Sequence, residues 1–244
     1  MIASEMELEF LILYDKITNF DAAGYTSNEI SRFLTSAQER IVLNRINILA
    51  NKYRQGYEAS EKRRKDLSEL DADATLTALN ISASQVGVKP NGVYYDLPAD
   101  FLFATSEEVT IASSDACLNG TRIPIKPITN DEYVKSIRNP YKKPYGQLAW
   151  RMDQSKTTPN TGFKRHEIIT STDYTVSSYH ISYIKTLTPI ISDSSTIEGV
   201  VGPSNCQLNN ILHREIINEA VKIATGITDP QMYQIKVAEK DASE

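Results

Sequence analysis

Zinc proteases set two histidines one helical turn apart with a glutamate between them, so that both imidazoles reach one metal. The stretch HEIIT, residues 166–170, begins that pattern and breaks it, because Thr170 stands where the second histidine is needed. The run is strand-like, so His166 and Thr170 share no helical face. His180 alternates with Tyr179 and Ile181 in another strand-like run and has no ligand-like neighbour. His213 stands at a helix start, where it packs or hydrogen-bonds locally rather than holding a metal alone. Cys117 and Cys206 are the only cysteines and form no C-x-x-C pair. No phosphate-cradling glycine loop and no G-x-S-x-G nucleophile elbow occurs. Glu107 and Glu108 are adjacent, so in a strand their carboxylates point to opposite faces and share no substrate. These residues assign no catalytic role, no metal and no cofactor, and the chain is read as a non-enzyme.

The stretch NPYKKPYGQLAW, residues 139–150, carries a different kind of chemistry. Pro140 and Pro144 fix two φ angles and bracket Lys142 and Lys143, with Tyr141 and Tyr145 beside them. A loop stiffened in this way loses little entropy on docking, and tyrosines are good anchors. Tyr141, Lys142, Lys143 and Tyr145 are therefore the candidate protein-docking loop. Two other readings stand beside it. The run is also what a solvent loop leading into a buried Trp150 would look like. It is also what a grip on nucleic acid by charge and stacking would look like, with Arg138 and Arg151 at its margins. That grip would join the charged helix at 57–71, where Lys62, Arg63, Arg64 and Lys65 cluster among acidic residues. The blander expectation for 57–71 is a solvated helical extension held by Glu58–Lys62 and Glu61–Lys65 pairs.

The totals bound what surrounds these residues. The chain has 244 residues, 41% hydrophobic and 23% charged, with a formal net charge of −5. That is ordinary globular composition and a poor match to bulk attraction for nucleic acid or an anionic membrane. No apolar run reaches the about 18–20 residues a bilayer span needs. MIASEMELEFLILYDKI mixes glutamates into its apolar residues and does not read as a signal peptide. The sparse cysteines fit a reducing compartment.

Periodicity then places the elements. Residues 5–17 read as a helix with Leu8, Leu11 and Ile12 on its packed face. Thr26 with Glu29 is a capping box opening a helix of about 27 residues, its stripe formed by Ile30, Phe33, Leu34, Ala37, Ile41, Leu49 and Tyr53. From about residue 75 the period becomes strand-like. Candidate strands are TLTALNI, GVYYDL, EEVTIAS, TRIPIKPI, QLAWRM, RHEIIT and YTVSSYHISYIK. Turns are expected at Pro90-Asn91-Gly92, Asn119-Gly120 and Asn160-Thr161-Gly162, with a helical loop at ADFL and a short helix at NDEYVKSI. NNILHREIINEAVKIATG is a helix with Leu212, Ile216, Ala220, Ile223 and Ala224 on one face and Gly226 as its C-cap. Asp229-Pro230 opens a last one. The expected fold is α+β, with a helical body formed by both ends of the chain and an inserted β-rich part, as in connector or adaptor proteins. The boundaries are 1–72 for the N-terminal helical part, 73–206 for the β-rich insertion and 207–244 for the C-terminal helical part.

Four pieces, EFLILYDKITNFDAAGYTSNEISRFLTSAQERIV, YYDLPADFL, NPYKKP with AWRMD, and LHREIINEAVKIATGITDPQMYQ, resemble in that order the head-to-tail connector (ring, or adaptor) proteins of crAss-like bacteriophages. They span about half of the chain and include no catalytic signature. The resemblance implies a structural virion protein that forms a homo-oligomeric ring of about twelve copies between portal and tail. Its partners would be the portal protein and neighbouring connector or tail proteins. Double-stranded DNA would pass through its channel without specific binding, and no membrane would be involved. Such a ring belongs in the neck or tail of the virion and is assembled in the cytoplasm of the bacterial host.

Overall fold

The Thr26 hydroxyl accepts the Glu29 N–H, and the Glu29 carboxylate accepts the Thr26 N–H at 2.8 Å. This reciprocal cap is local in sequence, and it starts a helix where expected. In the computed structural model the described residues are 1–15, 24–47, 56–78, 89–144, 148–155 and 164–228. The first helix is α1 (Ala3–Asp15) and the capped one is α2 (Ser27–Ile46). Its 20 residues make a rod of about 30 Å. It stops at Asn47, whose backbone is extended and whose N–H returns to the Leu43 carbonyl. The expectation of a helix through Tyr53 is thus corrected at Asn47, and Leu49 and Tyr53 lie outside the described residues.

Helix α1 also corrects its expectation. It buries Ala3, Met6, Phe10 and Tyr14, while Leu8 and Ile12 face solvent. Aliphatic residues occur on both sides of this helix, so periodicity alone does not choose between them. The aromatic side wins because Phe10 stacks on Tyr14 and on Phe33, which in turn meets the edge of Tyr25. Residues 57–70 are not a solvated extension either. Two single 3-10 turns, Tyr57–Ala59 and Ser68–Leu70, flank a short helix α3 (Glu61–Asp66). The extended backbone of Ser60 separates Glu58 from Lys62 and removes their helical spacing. Arg63, Asp66, Leu67 and Leu70 are buried, and Asp66 pairs with Arg45 at 3.2 Å.

The strands follow: β1 (Asp71–Leu76), β2 (Gly92–Asp96), β3 (Phe101–Ala112), β4 (Arg122–Pro127), then helix α4 (Asn130–Ser136), then β5 (Ala149–Ser155), β6 (Lys164–Ile169) and β7 (Thr175–Lys185). They form one seven-stranded sheet in the order β1-β7-β3-β4-β5-β6-β2. Every neighbouring pair is antiparallel except β4 and β5. A parallel neighbour needs a crossover, and α4 supplies it. One core cluster draws side chains from both edges and the middle of the sheet, including Leu76, Tyr95, Val109, Ile123, Ile168 and Tyr179, so the sheet is curled around it. On the outer face Ile128, Tyr133, Trp150, Met152 and Ile169 form a second cluster under α4. The hairpin expected at Asn119-Gly120 joins β3 to β4. ADFL is not a helical loop: a turn closes from the Pro98 carbonyl to the Phe101 N–H, and β3 begins there. At Gly92 an added Cβ would stand 2.5 Å from the Glu167 carboxylate, which explains a glycine at the head of β2. Asn160-Thr161-Gly162 and Asp229-Pro230 lie outside the described residues.

The chain forms two units, Met1–Leu70 with Leu187–Glu244, and Asp71–Thr186. The second stretch of the helical unit opens with extended chain held by a polar stripe on α2. Ser31, Thr35 and Gln38 are buried and bond the backbone of Ser192, Ile190 and Thr188. A small hairpin follows, β8 (Thr196–Ile197) and β9 (Val200–Val201), turned by Glu198 and Gly199, both at positive φ. Helix α5 (Asn210–Thr228) then packs on α2 and α1. Leu212, Ile216, Ala220 and Ala224 are buried as expected, and Ile217 and Val221 widen the stripe. Gly226 is not a cap: α5 runs through it to Thr228. Arg40–Glu219 and Arg45–Glu215 tie α2 to α5 along their rims. His213 is buried with Nε2 3.0 Å from the Leu208 carbonyl, the local role its position suggested, and burial holds its pKa below the usual range.

Ile216 is 0% exposed at this interface. Ile216→Ala is expected to destabilise the helical unit by about 2–5 kcal/mol, the range for an aliphatic truncation that leaves a cavity. Urea unfolding of the purified chain followed by circular dichroism checks it. A loss below about 1 kcal/mol would mean that the two helices do not depend on this contact.

Candidate functional site

Thr129 caps α4 by accepting the Glu132 N–H at 3.2 Å, and the helix ends at Ile137. Asn139 organises the turn beyond it. Its side-chain oxygen accepts the Tyr141 N–H at 3.0 Å, and its carbonyl accepts the N–H groups of Lys142 and Lys143. Pro140 suits the second position of such a turn because its φ is already set. The result is a fixed turn at 139–143 with buried Pro144 behind it. Tyr141 is 93% exposed, and Lys142 and Lys143 point to solvent with no ion-pair partner among the described residues. Tyr145 lies outside the described residues.

Beneath the turn is an open groove of about 590 Å³, bordered by Tyr141, Lys142, Lys135, Glu132, Lys126 and Trp150. Its rim carries two ion pairs, Lys126–Glu132 at 2.8 Å and Lys135–Asp131 at 2.5 Å. Trp150 is buried, edge-on to Tyr133, so it floors the loop rather than stacking on a ligand. A tyrosine almost wholly in solvent beside a groove with an aromatic floor is the shape of a docking surface.

Arg151 does not belong to this surface. Alternation along β5 sends Trp150 outward and Arg151 into the curl of the sheet, where it meets Glu107 at 2.7 Å. Three further groups join them. The Tyr179 hydroxyl donates to Glu107, and His166 lies 2.8 Å from that hydroxyl and 3.2 Å from Asp153. His166 is 2% exposed, with Phe101 edge-on to its ring. Burial, then the Glu107 charge and its hydrogen bond, push the Tyr179 phenol well above its usual range, so it stays a donor. Burial works against the Arg151 cation, but Glu107 and Asp153 outweigh it. Charges paired in this way brace the sheet. The sequence pointed to none of this, although alternation in QLAWRM already put Arg151 opposite Trp150.

On the outer face Glu167 accepts the Lys89 N–H at 2.7 Å and the Gln154 amide at 3.0 Å. His180 is held by the hydroxyls of Thr75, Thr110 and Ser178. Among the described residues no three metal-binding side chains converge, and no helix is long and apolar enough to cross a membrane.

A helical unit, a curled sheet braced from inside and a stiff loop presented outward define a protein built for contact with other proteins. The chain belongs to the phage tail ring protein 3/4 family, whose model matches residues 1–233. It is 35% identical over 231 residues to ring protein 4/5 of Bacteroides phage crAss001, covering 92% of each chain. It is 29% identical over 218 residues to ring protein 3 of the same phage, covering 85% of this chain and 90% of that protein. It is a structural ring protein of a crAss-like phage, as the four sequence pieces implied.

Proposed function

We propose that this chain forms a head-to-tail connector ring of about twelve copies in the neck of the virion, between portal and tail, through which double-stranded DNA passes. The observation that carries the reading is the family match from the first residue to residue 233, spanning both units. Ring closure needs a heterologous interface, with two different faces on each copy. A helical unit and a sheet unit on one chain supply different faces. At −5 per chain, about twelve copies carry roughly −60, a field that lets DNA slide instead of holding it. Each contact between copies buries on the order of 2,000 Å² or more, as obligate assemblies do. The ring assembles in the host cytoplasm on the portal protein and contacts neighbouring connector or tail proteins. It uses no cofactor and no catalytic group.

In this reading Tyr141, Lys142 and Lys143, with Tyr145, dock on a neighbouring protein in the neck. Lys142→Ala combined with Lys143→Ala is expected to leave the fold intact and to deplete rings from particles imaged by electron microscopy. Wild-type necks should show a ring of about twelve-fold symmetry. Normal rings in the double variant, with lost binding to DNA, would replace the docking role with a nucleic-acid one.

A further inference from the structure

Helix α1 carries apolar residues on two faces and buries only one of them. On the outer side Leu8 is 60% and Ile12 48% exposed. Glu5, Leu8, Ile12 and Asp15 succeed one another at helical spacing, so the outer stripe has two aliphatic residues in the middle and a carboxylate at each end. The helix has no basic side chain from Ala3 to Asp15. Leaving two large aliphatic residues in water on a rigid helix forfeits stabilisation that a covering partner would recover.

The same unit holds a surface of opposite character. Lys62, Arg64 and Lys65 are exposed on α3, and none has an ion-pair partner among the described residues. They stand on a fixed support. Arg63 turns inward and donates to the Arg45 carbonyl at 3.4 Å, Asp66 pairs with Arg45, and Leu67 and Leu70 are buried. Side chains of this kind offer aliphatic stems to apolar residues and charged heads to carboxylates. The two surfaces are complementary in charge but lie on different elements. Pairing α1 with another α1 would oppose carboxylate to carboxylate. Pairing α1 of one copy with α3 of the next satisfies both charges and leaves one of each surface for further copies, as a closed ring requires.

We propose that the outer stripe of α1, Glu5–Leu8–Ile12–Asp15, docks on the basic turn Lys62–Arg64–Lys65 of the adjacent copy. This rests on the ring reading above and names its interface. The test is cysteine cross-linking in assembled particles, in a Cys117→Ser background because Cys117 is an exposed free thiol. Ile12→Cys combined with Arg64→Cys should give, on oxidation, a ladder of covalent oligomers of this chain. Either substitution alone should leave it monomeric on a denaturing gel. Reversal of Lys62, Arg64 and Lys65 to Glu should cut the yield of ring-bearing particles about tenfold or more, and Glu5→Lys with Asp15→Lys should restore it. Rings visible in the neck while the doubly substituted chain stays monomeric would overturn the interface and spare the ring. Cross-linking by Ile12→Cys alone would replace it with an α1-on-α1 contact. Wild-type particles with no ring at all would overturn both.

Discussion

Arg151→Leu is expected to destabilise the sheet unit by about 3–5 kcal/mol, the range for removing one partner of a buried ion pair. The geometry leaves little room for a smaller effect. The Glu107 side chain is 9% exposed and that of Arg151 14%, so neither charge is well reached by water. Without the guanidinium, Glu107 keeps only the Tyr179 hydroxyl and His166, and Asp153 loses a cation at 3.5 Å. The hydroxyl cannot yield its proton to relieve the site, because burial and Glu107 itself hold the phenol protonated. Arg138→Ala, at an exposed position in the same stretch of sequence, should change stability by no more than about 0.5 kcal/mol. Glu107→Leu combined with Arg151→Leu should recover much of the loss, since an apolar pair needs no charge partner. Denaturant unfolding of the three variants decides it. If Arg151→Leu and Arg138→Ala cost the same, the inner network does not brace the sheet.

That network marks where the sequence stopped being legible. Thr26 and Glu29 lie three residues apart and act on the same turn of backbone, so the start of α2 could be read directly. Most of the strands could be read because alternation is a property of each segment alone. The loop at 139–144 could be read because prolines act on their own φ and on the residue before them. What failed depended on distant partners. Glu107, Arg151, His166 and Tyr179 come from four strands, and only the curl of the sheet brings them together. The packed face of α1 was decided by Phe33 on another helix, not by anything between Ala3 and Asp15. The buried stripe Ser31, Thr35 and Gln38 looks like a solvent face until the extended segment from Thr188 to Ser192 arrives to bond it. Gly226 resembled a stop because glycine disfavours helix by about 1 kcal/mol, but α5 continues two residues beyond it. The misread face of α1 is also instructive. Leu8 and Ile12 were expected in a core because they are hydrophobic at helical spacing, and the isolated chain leaves them in water. A sequence pattern records what the whole assembly buries, and part of that pattern can belong to contacts with other copies.

A phage genome lacking this chain is expected to yield filled heads and a titre lower by several orders of magnitude. Packaging acts at the portal before the neck is complete, so a missing ring leaves head assembly untouched. The losses come afterwards. A head without its connector has no surface matched to the tail, and the packaged genome is held under load with nothing to seal the exit. Two populations should therefore appear in micrographs of a lysate, tailless heads retaining DNA and heads that have emptied, with free tails beside them. Supplying the wild-type chain from a plasmid should restore joined particles. Supplying the chain with Lys142→Ala and Lys143→Ala, which folds but lacks its docking charges, should restore them poorly. The phenotype separates this reading from its competitors by the stage at which assembly fails. A nucleic-acid-binding protein acting in replication or packaging would leave heads empty or absent from the start, and an enzyme acting on the host would leave particles intact. Infectious particles with complete necks in the absence of the chain would defeat the connector role.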